Sequence, residues 1–402
     1  MEQIGEIDKF VGLDVGQENM EAVWLHENGN GSSGSLSFTN DHSGYEEFLG
    51  RLKRLSSDDS TSAVGVEGHD GYLSPLDEYL RDEGYPLISV HPLRIKRYKD
   101  MLGQPKKSDH YDAYAIADFL KSRKNQLMNL PRFKTKTQIL KKLSRTHKDL
   151  KKQVNRYTSK LQQVVNGYLP ELIHLDEFPS VTSKTAINLL NRYPTREELL
   201  DVELEELTKF IKSVSRGQCG KEAALAVREG LGSIRRSPKA SDASALRTKT
   251  ITDLLLTLEK RCKEIKKKIG SLLEGWETAQ IVLSLPGAGD LLVGRLLGEI
   301  VTIERFKSAD ALALYCGVAP VPHSSGSWQS DKSTHQVNHW AKDALMQMAR
   351  CSKKHGKESK EYYEKKRKEG KSHWHAIKCL ARQLIRVIYA MLRDRTYYQP
   401  GQ

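Results

Sequence analysis

The sequence predicts an α/β fold in its N-terminal part and a largely helical remainder. Short apolar segments that each end in an acidic residue, followed by a helical pattern, indicate the α/β part. Two long runs further along the chain space their apolar residues three and four apart, which predicts long helices. At 402 residues the chain has room for about two or three domains with cores of their own.

The first acidic residue of interest is Asp14. It ends an apolar strand at residues 10–14, and the apolar pattern resumes at residues 21–25 after a glycine-containing turn. This arrangement predicts a β-hairpin with Asp14 exposed near its centre.

The second acidic residue is Glu67, the last residue of a short apolar strand at 63–67. A glycine-containing stretch follows at 68–71, so we expect Glu67 to face a cleft and not a core. A helix at about 75–83 and a strand at 87–90 are predicted next.

Asp109 and Asp112 open the following predicted helix, which continues through residue 120. Because they are three residues apart, the two carboxylates share one helical face. Lys106 and Lys107 precede this helix and are assigned as nucleic-acid contacts.

Together the four acids suggest a site for a hard divalent cation. Mg²⁺, or Mn²⁺ in its place, takes oxygen ligands, and carboxylates from two strands and a helix can hold one or two ions beside a phosphate. Each acid also has an ordinary explanation as a turn residue, a surface charge, or a helix cap and first-turn pair. Their order and spacing favour the metal site, which consists of Asp14, Glu67, Asp109 and Asp112.

A second group of motifs lies near the C terminus. The segment Leu-Ser-Leu-Pro-Gly-Ala-Gly at 283–289 is similar to a helix-hairpin-helix turn, in which Gly287 and Gly289 let backbone N–H groups meet a phosphate. A simple Pro-Gly helix start is the alternative. After a further helix come residues 313–320 and the loop His-Ser-Ser-Gly-Ser at 323–327.

Both groups of motifs resemble one family. The segments around Asp14 and Glu67 and at 107–113 look like the DEDD catalytic domain of insertion-sequence transposases, also described as bridge-RNA-guided recombinases. The 283–327 motifs match the same family in the same order. The resemblance implies an RNase H-like (RuvC-like) mixed sheet joined to a mostly helical transposase domain with a nucleophilic serine.

By this resemblance the nucleophile is Ser325, which would attack the DNA backbone and form a phosphoserine link while Mg²⁺ at the acids assists. A serine hydroxyl needs such help because it is a weak nucleophile near neutral pH. Ser324 and Ser327 are close enough to be alternatives, and a plain Ser/Gly loop is the structural explanation. His323 is assigned to packing or DNA contact.

The chain departs from the family after the serine loop. Members usually continue with a glycine-containing basic turn and an arginine-bearing helix, whereas residues 337–343 here read Val-Asn-His-Trp-Ala-Lys-Asp. Lys342 is therefore our candidate for the residue that clamps the phosphate.

Charge is distributed unevenly and points to a nucleic-acid partner. The whole chain has a formal net charge of +13, yet residues 1–90 hold 5 basic and 18 acidic residues. Residues 132–160 hold 11 basic residues and one acidic residue. Residues 350–378 hold 11 basic and four acidic residues. Such runs are ordinarily solvated helix faces. Two of them on predicted helices favour binding to a phosphate backbone.

The two runs with alternating spacing cover residues 140–168 and 251–272 and read as coiled-coil seams. They predict either an antiparallel hairpin or pairing between subunits, and hence a homo-oligomer such as a dimer or tetramer. A small helical insertion is expected between them at about 170–245. The predicted domains are residues 1–130 (catalytic), 131–277 (coiled coil with the insertion) and 278–402 (transposase).

Composition sets the remaining expectations. Five cysteines without a C-x-x-C pair favour neither a disulfide framework nor a zinc site, which suits a reducing cytoplasm. No apolar run approaches the roughly twenty residues that a membrane span needs, so no membrane partner is expected. We expect action on the nucleoid of a prokaryotic cell.

The leading hypothesis is a Mg²⁺-dependent serine recombinase that acts on donor and target DNA and is guided by a structured RNA. A junction resolvase that uses a metal-activated water, with Ser325 as scaffold, is one alternative. A catalytically inactive nucleic-acid-binding architectural protein is another. An actin-like sugar kinase, suggested by residues 13–16, ranks last because the later glycine-rich motifs are missing.

Overall fold

The computed structural model of the chain divides into two compact units. One comprises Met1–Lys141 and Leu273–Gln402, and the other comprises Lys142–Leu272. The predicted domain boundaries near residues 130 and 277 stay predictions. The structure describes residues 6–27, 34–55, 60–68, 74–90, 92–103, 108–124, 135–232, 242–319, 321–325, 328–332 and 337–400.

The regular elements follow one another along the chain in an α/β part and then a helical part. The strands are β1 (Glu6–Val15), β2 (Asn19–His26), β3 (Gly34–Thr39), β4 (Ser60–Glu67), β5 (Ile88–Val90), β6 (Val321–Ser325) and β7 (Trp328–Lys332). The helices are α1 (His42–Leu55), α2 (Ser74–Asp82), α3 (Pro92–Leu102), α4 (Asp109–Ser122), α5 (Thr135–Tyr168), α6 (Lys184–Arg192), α7 (Arg196–Asp201), α8 (Leu204–Val214), α9 (Lys221–Gly232), α10 (Asp242–Leu273), α11 (Glu277–Leu283), α12 (Asp290–Ile300), α13 (Ala309–Tyr315), α14 (His339–His355), α15 (Lys357–Lys368) and α16 (His373–Asp394).

The N-terminal sheet is mixed, as predicted. Its five strands lie in the order β3-β2-β1-β4-β5, with β1 antiparallel to β2 and parallel to β4. The hairpin expected around Asp14 is β1–β2. Asp14 is half-buried at the turn end of the strand and not exposed near the hairpin's centre, because it pairs with Glu21 one step from the last pair of the ladder.

Both faces of the central strand β1 are covered. Val11 and Leu13 belong to one apolar cluster, and Phe10 belongs to another on the opposite face, as the two-residue period of a strand requires. Helix α4 covers the face that carries Phe10 and Gly12. A Cβ on Gly12 would lie 2.0 Å from the carbonyl oxygen of Ala113, so this glycine lets the helix backbone contact the strand directly.

Three elements of the α/β part had no counterpart in the sequence predictions: β3, α1 and α3. Helix α1 does show a readable pattern, since Tyr45, Phe48, Leu49 and Leu52 are buried at helical spacing. The Asp41 carboxylate accepts a hydrogen bond from the Gly44 N–H at 2.9 Å and caps this helix.

In the second unit the long helices α5 and α10 pack together with the short helices between them. Buried residues of both helices, among them Leu161 and Leu255, share one apolar core. The Tyr168 and Thr248 hydroxyls are hydrogen-bonded at 2.7 Å. Toward the other end of the pair, Cys262 of α10 lies near Lys151 of α5. Burial raises the pKa of the Cys262 thiol, and the Lys151 ammonium is close enough to oppose that rise. The two helices are therefore antiparallel within one chain.

The C-terminal part consists of α11–α16 and the hairpin β6–β7. Helix α14 packs against both α12 and α16, and its buried residues include Leu345 and Met348. No described helix combines the length and the apolar character that crossing a bilayer demands.

We expect Gly12→Ala to destabilise the protein by about 2 kcal/mol or more. The added methyl group would meet the Ala113 carbonyl oxygen at 2.0 Å and the Ala117 nitrogen at 2.5 Å, and neither backbone atom can rotate away. Chemical denaturation followed by circular dichroism measures the free energy of unfolding.

Gly167→Ala is the matched control for this substitution. Gly167 is the last residue but one of α5, and an added methyl group would meet no described atom within 4 Å outside the backbone of its own helix. Alanine should stabilise this helix by up to about 1 kcal/mol. Equal unfolding free energies for Gly12→Ala and the wild type would contradict the direct packing of α4 on β1.

Candidate active site

The ends of two neighbouring parallel strands place the first two acids side by side. In the ladder between β1 and β4, Leu13 pairs with Val66. Asp14 and Glu67 each follow this pair by one residue, so they lie at the same edge of the sheet. Ligand sites commonly form at the carboxyl ends of parallel strands.

Helix α4 brings the other two acids to this edge. Ser108 caps the helix by accepting a hydrogen bond from the Tyr111 N–H at 3.1 Å. Asp109 and Asp112 therefore occupy the first turn, as the sequence predicted. Because α4 rests on β1 at Gly12, its first turn comes close to Asp14.

The electrostatics of Asp14 show that all four acids lie near one another. The pKa of Asp14 is raised from its ordinary value of 3.8 to about 6. Burial is the largest cause, and the negative charges of Asp112, Asp109 and Glu67 add to it, whereas Lys99 lowers the pKa. These carboxylates repel one another and require positive charge nearby.

Lys99 of α3 supplies that charge. Its Nζ lies 2.8 Å from Oδ1 of Asp112 and 3.4 Å from Oε2 of Glu67, and its side chain is only 20% exposed. Burial lowers the pKa of the Lys99 ammonium, but the salt bridges to Asp112 and Glu67 together outweigh burial and raise that pKa above its ordinary value. Sequence reasoning missed this residue because nothing in the spacing of α3 connects it to the acids.

Three of the four acids border an open cavity of about 330 Å³. Asp14, Asp109 and Asp112 line it, together with Asn19 and Glu21 of β2. Glu67 is not part of the lining and joins the cluster through Lys99.

Glu21 is a fifth carboxylate that sequence reasoning did not assign. It pairs with Asp14 across the β1–β2 ladder, and its Oε1 lies 3.1 Å from Nδ1 of His110. The strand pattern alone could have found it, since a residue opposite Asp14 in the hairpin shares its face.

The donor chemistry of this cleft fits a hard cation. Carboxylate oxygens are the ligands that Mg²⁺ and Mn²⁺ take, and their mutual repulsion would be relieved by a cation. Among the residues that the structure describes, no group of three or more His, Cys, Asp or Glu side chains is arranged to hold a metal ion as it stands.

The predicted nucleophile Ser325 is the last residue of β6, where its backbone pairs with Trp328 at the tip of the β6–β7 hairpin. Ser324 lies one residue earlier in the same strand. Ser327 and the side chains of 320–336 lie outside the described residues. The region is thus a hairpin tip and not only a loop.

Both ends of the segment that contains this hairpin are attached to the end of α13. Before it, the Val318 N–H donates to the Ala313 carbonyl at 3.0 Å. After it, the Asn338 N–H donates to the Tyr315 carbonyl at 2.8 Å. The chain therefore leaves and returns at nearly the same place.

Asn338 strengthens the second attachment. Its side-chain amide donates to Oε2 of the buried Glu299 at 2.8 Å and to the Tyr315 hydroxyl at 2.9 Å. Its Oδ1 accepts from two backbone N–H groups and caps α14. Sequence reasoning placed Asn338 in the segment that departs from the family pattern but assigned it no role.

The other predicted nucleic-acid contacts stay predictions, and the structure describes the surroundings of three of them. Gly287 has φ +89° and a Cβ there would lie 2.3 Å from the Ser352 nitrogen, so packing against α14 explains this glycine. Gly289 is the N-cap of α12 and has open space around it. Burial and the neighbouring Lys378 lower the pKa of Lys342. Lys106 and Lys107 lie outside the described residues.

Two family models match the chain. One, for DEDD transposases of the IS110 type and described as "Transposase", matches residues 11–170. The other, described as "Transposase IS116/IS110/IS902 family", matches residues 279–364. The first match contains the four acids of the cleft, and the second contains the β6–β7 hairpin with Ser325.

Relatives from insertion elements cover most of the chain. The 44.8 kDa protein of insertion element IS116 from Streptomyces clavuligerus is 26% identical over 84% of this chain and 84% of its own length. The 43.6 kDa protein of insertion element IS110 from Streptomyces coelicolor is 25% identical over 79% of this chain and 78% of its own length.

We expect Asp14→Asn to stabilise the protein at pH 8 in the absence of divalent cations. Since the pKa of Asp14 is raised to about 6 in the folded protein, the stability due to its protonated form is complete below 3.8 and is lost as the pH rises through about 6. Solvent screening at this half-buried site limits the gain to roughly 1 kcal/mol. Urea denaturation at pH 4 and pH 8, with a chelator, measures it.

Asp41→Asn is the control of opposite sign. Hydrogen bonds from Gly44 and Thr39 lower the pKa of Asp41, so the neutral variant should be less stable than the wild type at pH 8. An Asp14→Asn variant that is less stable at pH 8 than at pH 4, relative to wild type, would refute the repulsion described for the cleft.

Removing the charge of Lys99 should raise the pKa of Asp14 above about 6, because that ammonium lowers it. Lys99→Met keeps the length of the side chain, and carboxyl ¹³C shifts followed through a pH titration report the pKa. Lys96→Met, on an exposed position of the same helix, should leave it unchanged. Identical Asp14 titrations in both variants would show that Lys99 does not act on the cleft.

Proposed function

Because this chain belongs to the IS110/IS116 family of transposases, we propose that it recombines DNA through a covalent serine intermediate assisted by Mg²⁺ at the acidic cleft. The observation that supports this most is the convergence of Asp14, Glu67, Asp109 and Asp112 from two strands and one helix. Four clustered carboxylates destabilise a protein unless they bind a cation.

These four acids would hold Mg²⁺, or Mn²⁺ in its place. The ion, when bound, supplies positive charge that polarises a phosphate oxygen and stabilises the charge of the transition state. Lys99 provides part of that positive charge in its absence. The open cavity beside Asp14 leaves room for a phosphodiester.

The nucleophile of the proposed reaction is the Ser325 hydroxyl. A bond forms between its oxygen and the phosphorus atom, and the bond from phosphorus to one deoxyribose oxygen breaks. The serine proton is lost and the leaving deoxyribose oxygen gains a proton. Since the phosphodiester is kept as a phosphoserine ester, a second deoxyribose hydroxyl can reverse the step and rejoin the strand without an energy source.

The position of Ser325 at a hairpin tip suits this role. A residue at the tip can reach a phosphate on a DNA surface, while the Ala313 and Tyr315 carbonyls and Asn338 hold the base of the hairpin. Such support limits the motion of a reacting group, on which rate depends strongly. The match of residues 279–364 to the family includes this hairpin.

We propose further that a structured RNA guides the reaction and that the acidic site of one subunit meets the serine of another in a dimer or tetramer. The resemblance to bridge-RNA-guided recombinases implies both. The basic runs at 132–160 and 350–378 support binding of nucleic-acid backbones, since neutralised phosphates release counterions.

Denaturing gels of labelled DNA incubated with the protein, its copurified RNA and Mg²⁺ test the serine chemistry. We expect a protein–DNA adduct that Ser325→Ala abolishes and that Asp14→Asn reduces by about 1,000-fold or more. Ser330→Ala is the matched control, because Ser330 lies in the partner strand of the same hairpin. It should form the adduct at the rate of the wild type.

The other outcomes discriminate between mechanisms. An adduct that survives in Ser325→Ala and disappears in Ser324→Ala would transfer the nucleophile to Ser324. Cleavage without any adduct would indicate a resolvase that uses a metal-activated water. Activity that is unchanged in Asp14→Asn would exclude a catalytic role for the cleft.

A further inference from the structure

Aromatic and basic side chains form a cluster on the surface of α14, α15 and α16. We call it the aromatic–basic patch, and it consists of Arg350, Lys353, Tyr363, His373 and Trp374. The reaction steps proposed above use none of these residues, although Arg350 and Lys353 belong to the basic run at 350–378.

Trp374 is the most exposed member with a large apolar side chain. It lies in the first turn of α16, and 59% of its surface is open to solvent. The Arg350 guanidinium lies 5.6 Å from the centre of its ring, and the His373 ring lies 5.3 Å away at a steep angle. The exposed part of this ring contributes little to folding, and its position beside basic side chains leaves a face on which a base can stack.

The other members hold one another in place. The Tyr363 hydroxyl and Nδ1 of His373 are hydrogen-bonded at 2.7 Å. The Lys353 ammonium lies 4.5 Å from the centre of the Tyr363 ring. These contacts join α14, α15 and α16, so the patch is ordered before a ligand binds, which lowers the entropic cost of binding.

The patch is also positively charged. Within the part of the chain that the structure describes, neither Arg350 nor Lys353 forms an ion pair with a carboxylate. The Arg350 guanidinium lies over the Trp374 ring and the Lys353 ammonium over the Tyr363 ring, so both cations can still bind an anion. The surrounding residues 350–378 hold 11 basic residues and four acids.

We infer that the aromatic–basic patch binds an unpaired nucleotide, with its base stacked on Trp374 and its flanking phosphates on Arg350 and Lys353. Exposed aromatic rings beside basic side chains are how proteins bind single-stranded nucleic acid, since every base has a face that stacks. In a duplex the bases are already stacked and cannot reach the ring. This inference rests on the proposed function only in taking nucleic acid as the partner.

Binding of a labelled 15-nucleotide single strand to the full-length protein tests the inference. We expect Trp374→Ala to weaken binding by about 10-fold and Trp374→Phe to keep most of it. The Trp374→Ala loss should be the same at low and high salt. Arg350→Ala should reduce the salt dependence of log Kd by about 0.7, the value of one phosphate contact on a single strand.

An abasic strand separates stacking from other causes. If the base stacks on Trp374, abasic sites weaken binding to the wild type and have no further effect on Trp374→Ala. Lys354→Ala, at an exposed neighbouring position outside the patch, is the matched control and should respond to abasic sites as the wild type does. Parallel series with RNA and DNA strands show which nucleic acid is preferred.

Equal affinity of Trp374→Ala and the wild type for single strands would overturn the inference. So would a Trp374→Ala loss of affinity that is equal for intact and abasic strands. A change of oligomeric state in Trp374→Ala would also overturn it, because the patch would then be a protein interface. The proposed function fails separately, by the absence of a Ser325-dependent adduct. A folded Trp374→Ala protein that binds duplex DNA normally excludes general damage.

Discussion

The contact between α4 and β1 is the constraint on which the proposed chemistry depends. Gly12 lets the backbone of the helix rest on the strand, with no side chain between Gly12 and the Ala113 carbonyl. A longer distance between α4 and β1 would move Asp109 and Asp112 away from Asp14. The charges of these two residues would then no longer raise the pKa of Asp14. A packing requirement at one small residue thus determines an electrostatic property at the edge of the sheet.

That electrostatic property is costly for folding. Burial and three like charges raise the pKa of Asp14 to about 6, so the repulsion that Asp14 experiences is largest above about pH 6, where its own carboxylate is charged. Lys99 offsets part of the cost through its salt bridges to Asp112 and Glu67. A protein commonly keeps such a repulsive arrangement where function needs it.

In the C-terminal part, the segment that contains the β6–β7 hairpin is attached to α13 at both of its ends. The hydrogen bonds of Val318 and Asn338 to α13 hold the two ends of the segment close together, and buried Glu299 fixes the Asn338 side chain. The same part carries the aromatic–basic patch on a different set of helices. The proposed nucleophile and the proposed nucleotide-binding patch therefore lie on different elements of the C-terminal part.

The sequence by itself determined the strand ends that carry Asp14 and Glu67, the capped helix that begins at Asp109, and the two long helices, because local periodicity and capping residues encode them. It also carried the family motifs. It did not reveal β3, α1 or α3, nor that packing explains Gly287. Only the tertiary structure decided that Lys99 joins Asp112 to Glu67, that Asn338 reaches Glu299, and that Arg350 lies over Trp374. These contacts join residues that are 13 or more positions apart on different elements, and no local pattern specifies which long-range pairs will meet.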